Sequence, residues 1–347
     1  MDSANIKKLI AAMPKAELHL HLEGSIEPPT VVELAARHGV TLTPEEVKAR
    51  YAYTEFAGFL EAFKWVTSLL RTPADYALIT ERLADRLIAQ NVLYAEVTLS
   101  IGVMFWRKQD GHANLLAIAE AGRRTGEKCL RLQWIPDATR QFGPEAAMAV
   151  ARLAAQMKKS EAVAAFGMGG DELAVPAAEF RRVYDFAAQE GLHRVVHAGE
   201  IGGPQVVRDA VEILGAERIG HGIAAIRDAS VMDLHAARHI PLELCPTSNL
   251  CTGALARQLA RAEARLEEHP LPQFLRRGLR VTLSTDDPAM FHTDLETEYG
   301  LASRMGLNAS ELLRLAAMSF EHAFLPPAEK QFLLAEFQAR TTALGLV

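Results

Sequence analysis

"PAAEFRRVYDFAAQEGLHRVVHAGE", residues 176–200, holds the two periodicities on which the fold turns. In its first part Phe180, Val183, Tyr184 and Ala187 recur at the spacing of one helix face. Its second part, "HRVVHA" (193–198), is short, apolar and β-branched, the signature of a strand. The pattern then repeats: "PQVVRDAVEILGAE" (204–217) reads as a helix and "ERIGHG" (217–222) as the next strand. Further strand candidates are "AELHLH" near 16–21, "VLYAEVTL" near 92–99, "CLRLQWI" near 129–135 and "AVAAFGM" near 162–168. "IPLELC" near 240–245 and "LRVTLS" near 279–284 complete the set. Strands separated by helices form parallel βαβ units, and eight of them make a closed α/β structure, the (β/α)8 TIM barrel. The first unit is irregular, because about 70 residues separate strands one and two. "EPPTVVELAARHGV" and "FAGFLEAFKWVTSLL" read there as amphipathic helices, so a helical insertion after strand 1 is expected over one end of the barrel. Residues after roughly 305 read as extra C-terminal helices. With no internal repeat and no Pro/Gly/Ser linker, a single domain over 1–347 is expected.

The composition is that of an ordinary globular enzyme: 49% hydrophobic, 23% charged, with a formal net charge of -6. That balance, without a Lys/Arg cluster, argues against a nucleic-acid partner. No apolar stretch reaches the ~18 residues of a membrane span. The N-terminal "MDSANIKKLIAAMPK" lacks the apolar core and cleavage site of a secretory signal. Three scattered cysteines (Cys129, Cys245, Cys251) make no disulfide framework, and a cytoplasmic location is expected.

Chemistry in such barrels sits at the C-terminal ends of the strands. His19 and His21 lie one residue apart on strand one, so both imidazoles share a face while Leu18, Leu20 and Leu22 share the other. Strand five ends at His197, followed by Glu200; strand six ends at His221; strand eight ends in "STDDP", with Asp286 and Asp287. Singly, each has an ordinary reading. A lone strand histidine is usually a hydrogen-bonded structural residue, and "DDP" is usually a turn or helix cap. Jointly they form a pattern that independent core histidines would not produce. Imidazoles with one carboxylate suit zinc or a similar transition metal, whereas magnesium and calcium prefer oxygen. His19, His21, His197 and Asp286 would hold one ion per chain and leave a position for water, whose pKa would fall from ~15.7 toward ~7. Glu200 fits a general acid/base. His221 reads either as a ligand or as a group orienting the nucleophile, and the second is preferred.

"PKAELHLHLEGS", "GGDE", "HAGE", "RIGHG", "CPTSN" and "STDDP" occur in an order that resembles the adenosine/adenine deaminases of the amidohydrolase superfamily, over about residues 14–320. The resemblance implies a Zn2+-dependent barrel enzyme that replaces the 6-amino group of a small-molecule purine with oxygen. It further implies that His19, His21, His197 and Asp286 hold zinc, that Glu200 protonates purine N1 and that His221 orients the attacking hydroxide. By the same likeness Asp287 would bond N7, the Gly170 backbone would contact the ring near N3, and Ser100 would lie near the ribose. Phe56, Phe59, Phe63 and Trp65 are expected either to cap the pocket or to be ordinary packing. Nucleoside-specific members typically read "HLDG", but this chain has "HLEG", so Glu23 reaches one methylene further, as in adenine-specific relatives. Those relatives commonly read "DHG" before the histidine where this chain has "GHG". A purine nucleoside modified at its 5′ end, such as 6-amino-6-deoxyfutalosine, reconciles the two signals; adenosine and free adenine remain open. More remote is another metal-dependent amidohydrolase, of the two-metal kind that uses a carboxylated lysine on strand four. "AVAAFGMGG" has no lysine. A catalytically dead binding protein is disfavoured by the complete ligand set.

Overall fold

Eight strands run parallel, in sequence order, around one sheet: β1 (Lys15–His21), β2 (Val92–Leu99), β3 (Arg131–Thr139), β4 (Ala165–Gly169), β5 (His193–Ala198), β6 (Arg218–His221), β7 (Leu242–Leu244) and β8 (Val281–Leu283). They are taken from a computed structural model that describes residues 3–53, 56–126 and 129–345. The ring closes between β1 and the chain just past β8, where His21 N donates to Asp286 O at 2.8 Å and Asp286 N donates to His19 O at 3.1 Å. This is the (β/α)8 barrel that the alternating periodicities predict.

Period-two alternation sorts the strand side chains between two environments. Leu18, Leu20, Val97, Phe166, Val196 and Ile219 are buried in one continuous apolar core shared with the surrounding helices. The inner face is largely polar. Arg218 on β6 pairs with Glu96 on β2, and its Nε donates to Glu243 Oε1 on β7 at 2.6 Å. Strands two and six lie on opposite walls, so the Arg218–Glu96 pair crosses the lumen, while Glu243 braces Arg218 from the adjacent strand. Tyr94 donates to Glu96 at 2.7 Å, and Phe324 N donates to the same carboxylate at 2.6 Å. Arg218 also donates to His322 O at 2.8 Å, and its guanidinium lies 3.7 Å from the Phe324 ring centroid. The chain after helix Ala309–Glu321 therefore seals the end of the barrel opposite the strand C-termini.

Helices Pro28–Arg37, Pro44–Arg50, Phe56–Thr67 and Pro73–Ala89 form the expected insertion after β1. Helices Leu295–Arg304, Ala309–Glu321 and Pro327–Ala343 follow β8. No helix among the described residues is long and apolar enough to cross a membrane. Most strands begin and end within two residues of their sequence reading, and two differ by more. Instead of stopping near 135, β3 runs to Thr139, because Pro136 ends its ladder with β2 while Asp137, Ala138 and Thr139 continue pairing with β4. Rather than starting near 162, β4 begins at Ala165, since Ala162 takes a left-handed backbone (φ 56°) that interrupts the strand.

Replacing Arg218 by Met would leave Glu96 and Glu243 as buried carboxylates without their cation. A loss of about 3–5 kcal/mol is expected in urea unfolding. A loss under about 1 kcal/mol would show that the lumen network does not hold the barrel.

Candidate active site

The C-terminal ends of the strands bring His19, His21, His197 and Asp286 to one point. One ligand atom from each lies within 4.8 Å of all the others. His21 Nε2 is 3.2 Å from His197 Nε2 and 3.2 Å from Asp286 Oδ1, while His19 Nε2 is 3.3 Å from that oxygen. Ligands about 2.0–2.1 Å from a tetrahedral ion stand about 3.3 Å apart, so these spacings are those of atoms sharing one cation. His19 Nε2 is buried, and its near neighbours are the other members of this cluster, as for a ligand atom. An N/N/N/O donor set suits a divalent transition metal.

Neighbouring groups fix two of these side chains, His19 and Asp286. Gly220 makes room on β6, where a Cβ would come 2.6 Å from the His19 ring. His19 Nδ1 lies 2.8 Å from Glu243 Oε2, which sets the tautomer so that Nε2 faces the site. Arg218, on the other oxygen, keeps Glu243 ionised. Ser248 donates to Asp286 Oδ2 at 2.6 Å. Asp286 and His221 both take left-handed backbones (φ 68° and 60°), which are uncommon for residues other than glycine. Burial opposes a charge on His19, yet hydrogen bonds to Asp286 and Glu243 hold its imidazole up at about 10. The Asp286 carboxyl is correspondingly held well below its usual range by the His19 and His21 contacts, against the effect of burial. The pocket is thus built to receive positive charge.

Glu200 and Asp287 behave oppositely to Asp286. Burial and the Asp286 charge beside them raise both carboxyls to about 8. Both shifts favour the protonated form near neutrality, in which a carboxyl can donate a hydrogen bond. His221 is driven down to about 3 by burial and is neutral. A chain of hydrogen bonds sets its tautomer: Leu271 N donates to His269 Nδ1 at 3.2 Å, leaving the proton on Nε2, 3.2 Å from Asn249 Oδ1. Asn249 Nδ2 then lies 3.1 Å from His221 Nδ1 and donates to it. The His221 proton is consequently on Nε2, 3.6 Å from Glu200 and 3.9 Å from Asp286. His221 stands in the site as a neutral donor.

One cavity is lined by His21, His197, Glu200, His221, Asp286, Asp287 and Gly170. Gly170 has φ 91°, and a Cβ there would meet Gln141 Oε1 at 2.4 Å. Glu23 and Ser100 are not among the lining residues: Ser100 N donates to Glu23 Oε1 at 3.1 Å, and Glu23 Oε2 is buried without a partner. Of the aromatic stripe, Phe59 and Phe63 line the cavity. Trp65, some 200° around the helix from Phe63, instead faces Arg50, whose guanidinium lies 4.5 Å from the ring centroid. The Phe56 side chain lies outside the described residues. A larger groove of about 860 Å³ outside the barrel, beside Trp134 and Phe332, has its charges paired (Arg123 with Glu161, Arg131 with Glu329) and brings no titratable cluster together.

Glu243, Ser248, Asn249 and His269 were not singled out as site residues in the sequence. "CPTSN", whose last two residues are Ser248 and Asn249, was the available signal.

The family model described as "Adenosine deaminase" matches residues 14–340. The aminodeoxyfutalosine deaminase of Streptomyces avermitilis is 40% identical over 345 residues, 98% of this chain and 94% of that protein. The adenine deaminase structure from Arthrobacter aurescens superposes with a TM-score of 0.87 at 30% identity, covering 94% of this chain and 99% of that one. An amidohydrolase from Burkholderia ambifaria, solved with bound zinc, has a TM-score of 0.89 at 25% identity, covering 99% and 95%.

Metal analysis of purified variants tests the ligand set. Asp286→Ala is expected to lose most of its metal, and Glu200→Gln to keep about one ion per chain. Full occupancy in Asp286→Ala removes that residue from the set.

Proposed function

The chain belongs to the adenosine deaminase family, and on that footing we propose that it hydrolyses the C6–N bond of a purine nucleoside extended at its 5′ end. Water and the 6-aminopurine become the 6-oxopurine and ammonia. Zinc is the proposed ion, supported by the donor set and the zinc-bound neighbour, and when bound it supplies the acidity that makes water a nucleophile near neutral pH.

His19, His21, His197 and Asp286 hold the ion. His221, as a neutral Nε2 donor, orients the attacking oxygen toward C6. Protonated Glu200 donates to N1 as that oxygen adds. Of the two protons water brings, one ends on N1 and the other on the departing amine, and Glu200 is the carboxyl placed to carry both. N7 is an acceptor, so the protonated Asp287 suits it where an ionised carboxylate would not. The Gly170 backbone contacts the ring edge. By the family likeness Glu23 and Ser100 would serve the ribose side, although neither lines the cavity directly.

The cavity's outer half supports the extension. Beyond the metal cluster it passes Phe59 and Phe63 to Trp106, Phe142 and Arg107. Trp106 stacks on Phe142 with centroids 5.9 Å apart and planes 15° apart. Arg107 donates to Lys64 O at 2.9 Å and forms no ion pair among the described residues. Adenosine or adenine would leave this stretch unused. A ring-bearing, acidic 5′ group would fill it. The name of the Streptomyces relative's substrate agrees with a modified nucleoside. Free adenine is the second reading, favoured by Glu23 and the Arthrobacter neighbour.

A kinetic panel of adenosine, adenine and 6-amino-6-deoxyfutalosine, followed by ultraviolet absorbance, tests the substrate. The highest kcat/KM is expected for the 5′-modified nucleoside; adenine in first place would overturn the reading. Arg107→Gln should cost that nucleoside about 10- to 100-fold in kcat/KM and adenosine less than about 3-fold. Because Glu200 works in its protonated form, kcat/KM should fall as pH rises through its ionisation, near about 8. That alkaline limb should vanish in Glu200→Gln.

A further inference from the structure

Glu172 closes the "GGDE" motif (169–172), in which only Gly170 has a task so far. Its side chain, 4% exposed, leaves the loop after β4 and enters the loop after β5. There it accepts four backbone hydrogen bonds. Oε2 takes Gly199 N at 2.8 Å and Gly202 N at 3.0 Å; Oε1 takes Glu200 N at 2.9 Å and Ile201 N at 3.3 Å. Four successive amides around one carboxylate form a closed anion nest. Glycine at 202 leaves room for this, since a Cβ there would stand 2.7 Å from Val206 Cγ2 and 2.9 Å from Glu172 Oε2. On the other side of the loop, Gln258 Nε2 donates to Glu200 O and Gly202 O, both at 2.8 Å. Neither a helix nor a strand holds residues 199–202. Their backbone is held by one side chain from the loop after β4 and one from the short helix Ala254–Gln258.

We infer that Glu172 is a positioning residue for proton transfer, its carboxylate fixing the backbone of residues 199–202 so that the Glu200 carboxyl is aimed into the site. This rests on the reading of Glu200 given above. Only a carboxylate suits the nest, because it offers acceptor sites to all four amides. A glutamine of the same shape would turn its NH2 toward two of them, leaving two buried N–H groups without acceptors. The loop would open, and misplacement of a catalytic group by about 1 Å costs on the order of 10²-fold in rate.

The test is a double-mutant cycle in the metal-loaded enzyme. Glu172→Gln should lower kcat about 10- to 100-fold, with KM within about 3-fold and metal content unchanged. In a Glu200→Gln background the same change should cost less than about 3-fold, because its effect runs through Glu200. An equal loss in both backgrounds would make Glu172 a general stabiliser and overturn the inference, as would unchanged kcat in the single variant. Normal turnover in Glu200→Gln alone would instead remove the role of Glu200. If Glu172→Gln does not fold, hydrogen exchange on the unaltered protein decides. The amides of Gly199, Glu200 and Gly202 should exchange as slowly as those of β5, and rapid exchange would overturn the inference.

Discussion

Three imidazole nitrogens and a carboxylate oxygen are held with their lone pairs facing one another, at spacings down to 3.2 Å. Such a set of electron pairs repels itself unless positive charge, as a proton or a cation, sits among them. The rest of the barrel is organised around that constraint. A lumen lined only by aliphatic side chains could not fix the rings. Here Glu243 orients His19, Arg218 charges Glu243, and Glu96 with the His322 carbonyl holds Arg218. The metal-facing imidazole is thus connected without a break to the chain beyond β8. Removing charge at the far end of the barrel alters the field at its mouth.

The same crowding differentiates acids that look alike. Asp286 and Asp287 are sequence neighbours, both buried. Histidine contacts keep the first ionised, and its charge then keeps the second protonated. Glu200, in reach of the same field, also retains its proton. On the proposed reading, these three carboxyls would supply two proton donors and one anionic ligand, matching a purine with acceptors at N1 and N7. His221 completes the set through direction instead of charge. A backbone amide, Leu271 N, starts the hydrogen-bond chain that leaves its proton facing the site.

Much of this was readable in advance. Alternating periods implied the barrel, and β2 and β5 begin and end where the apolar runs do. The strand-end rule gathered His19, His21, His197, His221 and Asp286 before any coordinates. Errors arose where one strand has different partners on its two sides. At Pro136 the chain has no amide to donate, which looks like a strand end, yet β4 still pairs with the next three residues. Of the two readings of the aromatic stripe, Trp65 takes ordinary packing, because it lies on the opposite side of the helix from Phe63.

Local pattern sufficed for element type and for the chemistry at strand ends, because periods of 2 and 3.6 and the direction of a parallel strand are properties of neighbouring residues. Supporting contacts are of another kind. Glu172 meets amides 27 to 30 residues away, and His19 meets Glu243 across 224. Glutamates such as these resemble any surface glutamate when read along the chain. Their partners are chosen by closure of the ring, which brings distant loops side by side and removes the water that would otherwise satisfy them.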